Sequence, residues 1–211
     1  MSKVFFTGCT HFDHANIIGL ANRPFNSVEE MNDVLVHNWN SVVKSNDEVF
    51  LLGDIAYGPS SNSAGYWLSK LTGRKTIILG NHDDSKGWFD VDAGVRDVQN
   101  YYDLKRKGHR FILFHYPMED WDGRYRGSIH LHCHTHQKQL ERPSIPYIET
   151  SGLSRYPADP LPSTVGLTLP GNYPEGLYCN RFNVTVEATN YTPISMDEII
   201  ARSIYKEHIP I

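Results

Sequence analysis

Five short stretches of the 211-residue chain end in side chains that bind metal ions. They are CTHFDH, with Cys9, His11, Asp13 and His14; GD, with Asp54; GNHD, with Asn81, His82 and Asp83; HYP, with His115; and CHTH, with His134 and His136. Imidazole, carboxylate, amide and thiolate together suit Mn, Fe or Zn, and so many groups exceed what one tetrahedral ion can use. Two ions account for the number. Asp54 has the firmest functional claim, because a structural acid there would need a buried cationic partner that its segment does not supply. His130 and His132 alternate with Ile129 and Leu131, which reads as buried strand or as support behind the ligands. His37, His109 and His208 lie off these stretches and read as surface residues.

Each stretch follows an apolar run of strand length: residues 3–7, 48–52, 75–79, 110–114 and 128–132. If those runs share a sheet, their polar tips meet on one rim, where ligands bind in open α/β sheets. Ser27 and Glu30 form a capping box ahead of Val28, Met31, Leu35, Trp39 and Val42, whose spacing predicts an amphipathic helix. A second helix is expected over residues 62–71, with Tyr66, Trp67 and Leu71 inward. DVQNYYDL and RFILFHY flank KRKGH and predict a β-hairpin. Phe182, Val184 and Val186 alternate as a strand, and Ser195 caps a last short helix. Trp39, Trp67 and Phe111 read as core, whereas Trp88, Tyr116 and Trp121 stand close enough to the motifs to frame a pocket.

Residues 1–211 read as one domain interrupted by an irregular insertion at about 141–180, which holds seven of the twelve prolines. That insertion is a candidate lid or oligomer contact. The formal charge of −4, from 20 Lys and Arg against 24 Asp and Glu, disfavours long nucleic acid as a partner. No apolar run reaches the roughly 18 residues that span a bilayer, and the N-terminus lacks signal-peptide order. A cytoplasmic location without a membrane partner is therefore expected, and three cysteines are a poor disulfide framework.

The ordered set C-T-H, G-D, G-N-H-D, H-Y-P and H-T-H resembles the calcineurin-like metallophosphoesterases, whose pattern runs D-x-H, G-D, G-N-H-[DE], His, then G-H-x-H. THFDHANIIGLANRPF, HYPMEDWDGRYRGSIHLHCHTH and FNVTVEATNYTPISMDEI are similar to a small bacterial and phage subfamily, so the resemblance covers nearly the whole chain outside the Pro-rich insertion. It implies an α/β fold: a β-sandwich of two mixed sheets flanked by helices, in a bacterial or phage-infected host cytoplasm. It implies two divalent or mixed-valence transition ions (Fe, Zn or Mn). Cys9, His11, Asp54 and His136 would hold the first; Asp54, Asn81, His115 and His134 would hold the second, with Asp54 as the bridge. A hydroxide shared by the ions would attack the phosphorus of a small phosphate mono- or diester, nucleotides among them. His82 would act as general acid, Asp83 would fix its tautomer, and His14 and Arg23 would join Asn81 and His82 in contacting the phosphate. Arg23 has a second reading, as a brace of its loop through a carboxylate.

The chain departs from the family pattern twice. Cys9 stands where the pattern has Asp, which keeps a single negative charge in the thiolate form and shifts metal preference toward softer ions. As plain packing it would leave the first site weak, and the protein could then be a binding module on a phosphoesterase scaffold. Cys133 stands where the pattern has Gly, and the two thiols are candidates for an inhibitory disulfide.

Overall fold

The computed structural model describes residues 2–57, 63–83, 93–140 and 180–203. In chain order the elements are β1 (Val4–Thr7), α1 (Ala15–Leu20), α2 (Val28–Val42), β2 (Glu48–Leu51), α3 (Ser63–Lys70), β3 (Arg74–Ile78), β4 (Val95–Gln99), β5 (Tyr101–Arg106) and β6 (His109–Phe114). A 3-10 turn at Arg124–Arg126 follows, then β7 (Ile129–His132), β8 (Arg181–Asn183), β9 (Ile194–Ser195) and α4 (Met196–Arg202). The 141–180 insertion, up to residue 179, lies outside the described residues, as do Trp88, Cys179 and His208. Among the described residues no helix is long and apolar enough to cross a membrane.

Two mixed sheets result. One runs β4-β3-β2-β1-β9, with β1 to β4 parallel and β9 antiparallel; the other runs β5-β6-β7-β8, with only β5 antiparallel. Alternation along each strand builds two cores at once. Phe6, Phe50, Leu52 and Ile78 turn toward Phe111, Leu113, Ile129, Leu131 and Phe182 of the opposing sheet. Phe5, Val49, Leu51 and Ile77 face the helices, meeting Met31, Leu35, Trp39, Leu68 and Leu71. Strands buried on both faces explain why their sequences are nearly continuous apolar runs. The Phe6 ring lies 5.7 Å from that of Phe50 and 5.6 Å from that of Phe111. Each fully buried ring contributes up to about 3 kcal/mol.

The caps act as expected. Ser27 Oγ accepts the N–H of Glu30, and Ser195 Oγ accepts that of Glu198. The Glu30 carboxylate returns one residue further back, to the N–H of Asn26. Three local expectations need correction. Tyr66 points outward, 54% exposed with Lys70 over its ring, while Leu68 takes the inward position of α3. The hairpin is confined to β5 and β6, closed by Lys107 and Gly108 with φ of 51° and 77°, the left-handed pair that a two-residue hairpin favours. The preceding Val95–Gln99 belongs instead to the other sheet, parallel to β3, so the chain changes sheets at Asn100. Finally α1 was not anticipated: it is six residues long, with one buried side chain, Ile17.

Candidate metal centre

The parallel registers align the ends of the strands. Thr7 pairs with Leu51 and Leu51 with Ile77, while Leu113 pairs with Leu131 and Leu131 with Phe182. Beyond those ends the loops remain zipped: the N–H groups of Cys9, His11 and Phe12 donate to the carbonyls of Gly53, Asp54 and Ile55, and that of Cys133 donates to His115. Gly8 bridges to Thr185, which joins the rims of the two sheets. All the metal-binding tips therefore converge.

Among the described residues they form three overlapping groups, one of them Cys9, His115 and Cys133, and the other two make up the candidate sets. Ligand atoms of Cys9, His11 and His136 lie within 4.8 Å of one another, as do those of Asp54, His115 and His134. Asp54 Oδ2 sits between the sets, 3.6 Å from His11 Nε2 and 3.4 Å from His115 Nε2. Asn81 Oδ1 joins the second set, 3.2 Å from His115 Nε2. Among the described residues, His11 Nε2 is buried without a hydrogen-bond partner, a lone pair or proton that burial makes costly unless a cation takes it. The donor set therefore fits metal ions, with Asp54 within reach of both sets.

This convergence requires unusual backbone. Cys9, His11, Asp54, His134 and His136 have φ of 54°, 52°, 52°, 66° and 49°, a left-handed region that costs non-glycine residues about 1–3 kcal/mol each and gathers at functional sites. Gly53 and Gly80 allow two loops to touch: a Cβ on Gly53, whose φ is +80°, would stand 2.3 Å from Gly80 N. A Cβ on Gly80 would stand 2.3 Å from Asp54 Oδ1 and 2.7 Å from His115 Cε1. Gly80→Ala should accordingly weaken metal binding about 10–100-fold, the usual effect of disturbing groups that support a ligand. Titration of the metal-free variant would check this, and unaltered affinity would contradict the close packing.

The groups behind the ligands fix their orientation. His115 Nδ1 lies 2.7 Å from the Leu52 carbonyl, which leaves Nε2 toward the centre. His136 Nδ1 lies 2.9 Å from Glu187 Oε1, and Glu187 also receives Thr185 Oγ1 and the Arg23 guanidinium. Cys9 Sγ accepts the N–H of His134 at 3.1 Å. Burial opposes charge on Asp54, but hydrogen bonds from His115 and the N–H of His82 hold its carboxyl at about 2. Burial lowers His11 to about 3. Near neutral pH the pair is thus a carboxylate beside a neutral imidazole, the forms that ligate cations.

Arg23 takes the position of the brace, the second of its two readings. It is 4% exposed and donates Nε to Glu187 (2.8 Å), Nη1 to the Thr10 carbonyl (2.9 Å) and Nη2 to the Cys9 carbonyl (2.8 Å), so it braces the loop that carries Cys9. Asp83 also acts on backbone: its oxygens accept the N–H groups of Asp54 (2.6 Å), Ile55 (2.9 Å) and Gly80 (2.8 Å). Burial raises its pKa while those hydrogen bonds oppose the rise. His82 is exposed at the mouth, held by its N–H on Asp54 Oδ1 (2.9 Å), with its ring 5.6 Å from His11. His14 is half-buried, its Nδ1 3.2 Å from His11 Nδ1. Burial and the His82 charge lower its pKa.

The Cys9 and Cys133 thiols are free and buried, their sulfurs within 4.8 Å. Burial and the neighbouring Cys9 push the Cys133 thiol up, and its Sγ donates to the Leu52 carbonyl. His130 and His132 are fully buried in β7, and Trp121 is packed with its indole N–H on Ser128. Trp67 is only half-buried; it stacks on Phe12 and donates to Asp13. Tyr116 does reach the site, 4.7 Å from the His134 ring. Glu187 escaped sequence reasoning. Its only signal was an acid directly after the alternating Phe182, Val184 and Val186, in the turn beyond β8.

The chain matches the model of the calcineurin-like phosphoesterase family over residues 2–144. An uncharacterized protein of Methanocaldococcus jannaschii is 32% identical over 201 residues, covering 95% of this chain and 90% of its own. The gene 66 protein of Mycobacterium phage L5 is 40% identical over 170 residues, covering 66% of this chain and 80% of its own. A solved structure of a protein of unknown function from Aquifex aeolicus shares the fold, with a TM-score of 0.61 at 24% identity, over 95% of this chain and 99% of that one. Two mixed sheets, the convergent rim and the extent of the family match lead to one assignment: the chain belongs to the calcineurin-like phosphoesterase family.

Proposed function

We propose that the protein is a hydrolase of small phosphate esters, nucleotides among them, that works with two transition ions of Fe, Zn or Mn. The first ion is assigned to Cys9, His11, Asp54 and His136, and the second to Asp54, Asn81, His115 and His134. The observation that carries this reading is the position of Asp54 Oδ2, 3.6 Å from one imidazole nitrogen and 3.4 Å from another, between two compact sets of donors. Bound there, the ions would supply Lewis acidity to a phosphate ester and to water.

The chain's own residues do the rest. Glu187 and the Leu52 carbonyl hold His136 and His115 with their other nitrogens toward the centre. Asp54 Oδ1 anchors the N–H of His82, which leaves that imidazole at the mouth to give a proton to the departing ester oxygen. Cys9 brings a soft donor without adding charge beyond that of a carboxylate.

Bis(p-nitrophenyl) phosphate and p-nitrophenyl phosphate, assayed after reconstitution with Mn, Fe or Zn, test the reading. Turnover that requires metal and stops with chelator is expected. A protein that binds these ions yet turns over neither ester would be a binding module instead. His82→Ala should keep the metal content and lose about 10²–10⁴-fold in turnover number, the usual worth of a positioned acid. An unaltered turnover number would remove His82 from the chemistry.

A further inference from the structure

Five large apolar or aromatic side chains stand exposed among the described residues: Leu20, Tyr57, Tyr66, Tyr101 and Tyr116. Two of them flank the metal centre. Tyr57, 53% exposed, lies with its ring 4.5 Å from that of His14 and 5.2 Å from that of His82, beside the first ligand set. Tyr116, 37% exposed, lies 4.9 Å from the His115 ring and 4.7 Å from the His134 ring, beside the second set. Neither position is loose. The N–H of Tyr57 donates to the Phe12 carbonyl, next to the bridge between Phe12 and Ala56, and Tyr116 directly follows the buried His115. Packing would hide these rings; here they stay half open on either lip of the site.

A pair of metal ions grips any phosphate alike, so discrimination between esters rests on what surrounds the phosphorus. We propose that Tyr57 and Tyr116 are the specificity-determining residues, aromatic walls that take the planar ring of an ester group by stacking. The preferred ester then carries an unpaired heteroaromatic ring, as a nucleoside does, over an aliphatic chain. Tyr57 adjoins His82, the group assigned to the departing oxygen, so its wall receives the ring on the leaving side. Tyr116 receives a ring on the retained side. Ring faces paired and stacked inside a duplex are closed to both walls, and the chain's formal charge of −4 offers no broad field for a polymer. This inference rests on the phosphoesterase reading above.

The test separates the two. With the Mn-loaded protein, the affinities of adenosine 5′-monophosphate and ribose 5-phosphate are compared by calorimetry, which needs no turnover. The nucleotide should bind about tenfold more tightly, a conservative worth for one base stacked on an aromatic ring. Tyr57→Leu should erase that preference and leave ribose 5-phosphate unaffected, whereas Tyr57→Phe should retain it; Tyr116→Leu, on the retained side that a monoester lacks, should leave the preference as it is. Circular dichroism establishes that each variant is folded. Equal affinity for both ligands in the parent, or a Tyr57→Leu variant that weakens both equally, overturns the Tyr57 wall. Metal-dependent turnover with the same kcat/KM for bis(p-nitrophenyl) phosphate and methyl p-nitrophenyl phosphate, which share the leaving ring and differ on the retained side, overturns the Tyr116 wall while leaving the hydrolase intact. Selective nucleotide binding without turnover of any ester overturns the hydrolase instead and keeps the Tyr57 wall.

Discussion

Asp54→Asn is expected to lower kcat/KM for an aryl phosphodiester by about 10³-fold or more and to cut bound metal to one ion per chain or fewer. The substitution keeps the shape. An amide oxygen at Oδ1 still accepts the His82 N–H, now received at 2.9 Å. What changes is Oδ2, the atom that stands between His11 and His115. An amide presents N–H groups or a neutral oxygen there, so the shared negative charge between two cations disappears. The carboxyl of Asp54 is held at about 2, so the parent carries that charge at neutral pH. Metal-ion assistance is worth several kcal/mol of transition-state charge stabilisation, and each 1.36 kcal/mol is tenfold, so about 10³ is a floor when both ions are perturbed. Metal analysis by mass spectrometry beside steady-state kinetics measures both parts. An Asn variant with two ions and parental turnover would remove Asp54 from the bridge and with it the dinuclear assignment.

The sequence was most readable where one signal served two purposes. β1, β2, β3, β6 and β7 are apolar because they are buried on both faces, and each stops at residues that packing cannot explain. Strand ends and site were therefore legible together. The two caps, Ser27 and Ser195, were legible because a cap is a local event between residues three apart. Backbone conformation was not. Nothing in the letters Cys, His or Asp announces a φ near +50°, yet five members of the centre need it, and the loops adopt it because the strands behind them are already locked. The hairpin overran its true start for a related reason. Residues 95–99 and 101–106 have the same strand-like composition, and only the choice of partner sends the first to β3 and the second to β6.

Charge roles were the hardest to read. A lone arginine near a phosphate site suggests an anion clamp, and an acid beside His82 suggests a tautomer guide. Both residues bond to backbone in the structure, because loops in left-handed conformations leave N–H and carbonyl groups that no sheet ladder satisfies. Asp83 takes three such N–H groups and Arg23 two such carbonyls. Glu187, 164 residues from Arg23, could be joined to it only through space. The same acid also holds His136, whose Nδ1 lies 2.9 Å from its Oε1.

That last arrangement sets the second large effect. Arg23→Met should lower stability by about 3–5 kcal/mol, because it leaves the Glu187 carboxylate buried without its cation. The Cys9 and Thr10 carbonyls lose their donor in the same step. At about 2–4 °C per kcal/mol for a chain of this size, Tm falls by about 6–20 °C. Burial alone would raise the pKa of Glu187, but the hydrogen bond from His136 and the charge of Arg23 bring it from an ordinary 4.5 to about 2. A carboxyl depressed on folding stabilises the protein above its unfolded value and loses that contribution as pH falls between about 4.5 and 2. In Arg23→Met the carboxyl rises, so acid unfolding starts at higher pH and its span shortens. Glu187→Leu in the same background should restore part of the stability, since a buried pair replaced by apolar groups costs less than one that is broken. An arginine that clamped phosphate would behave otherwise: its loss would raise KM and leave Tm, the acid limb and the double variant unaltered.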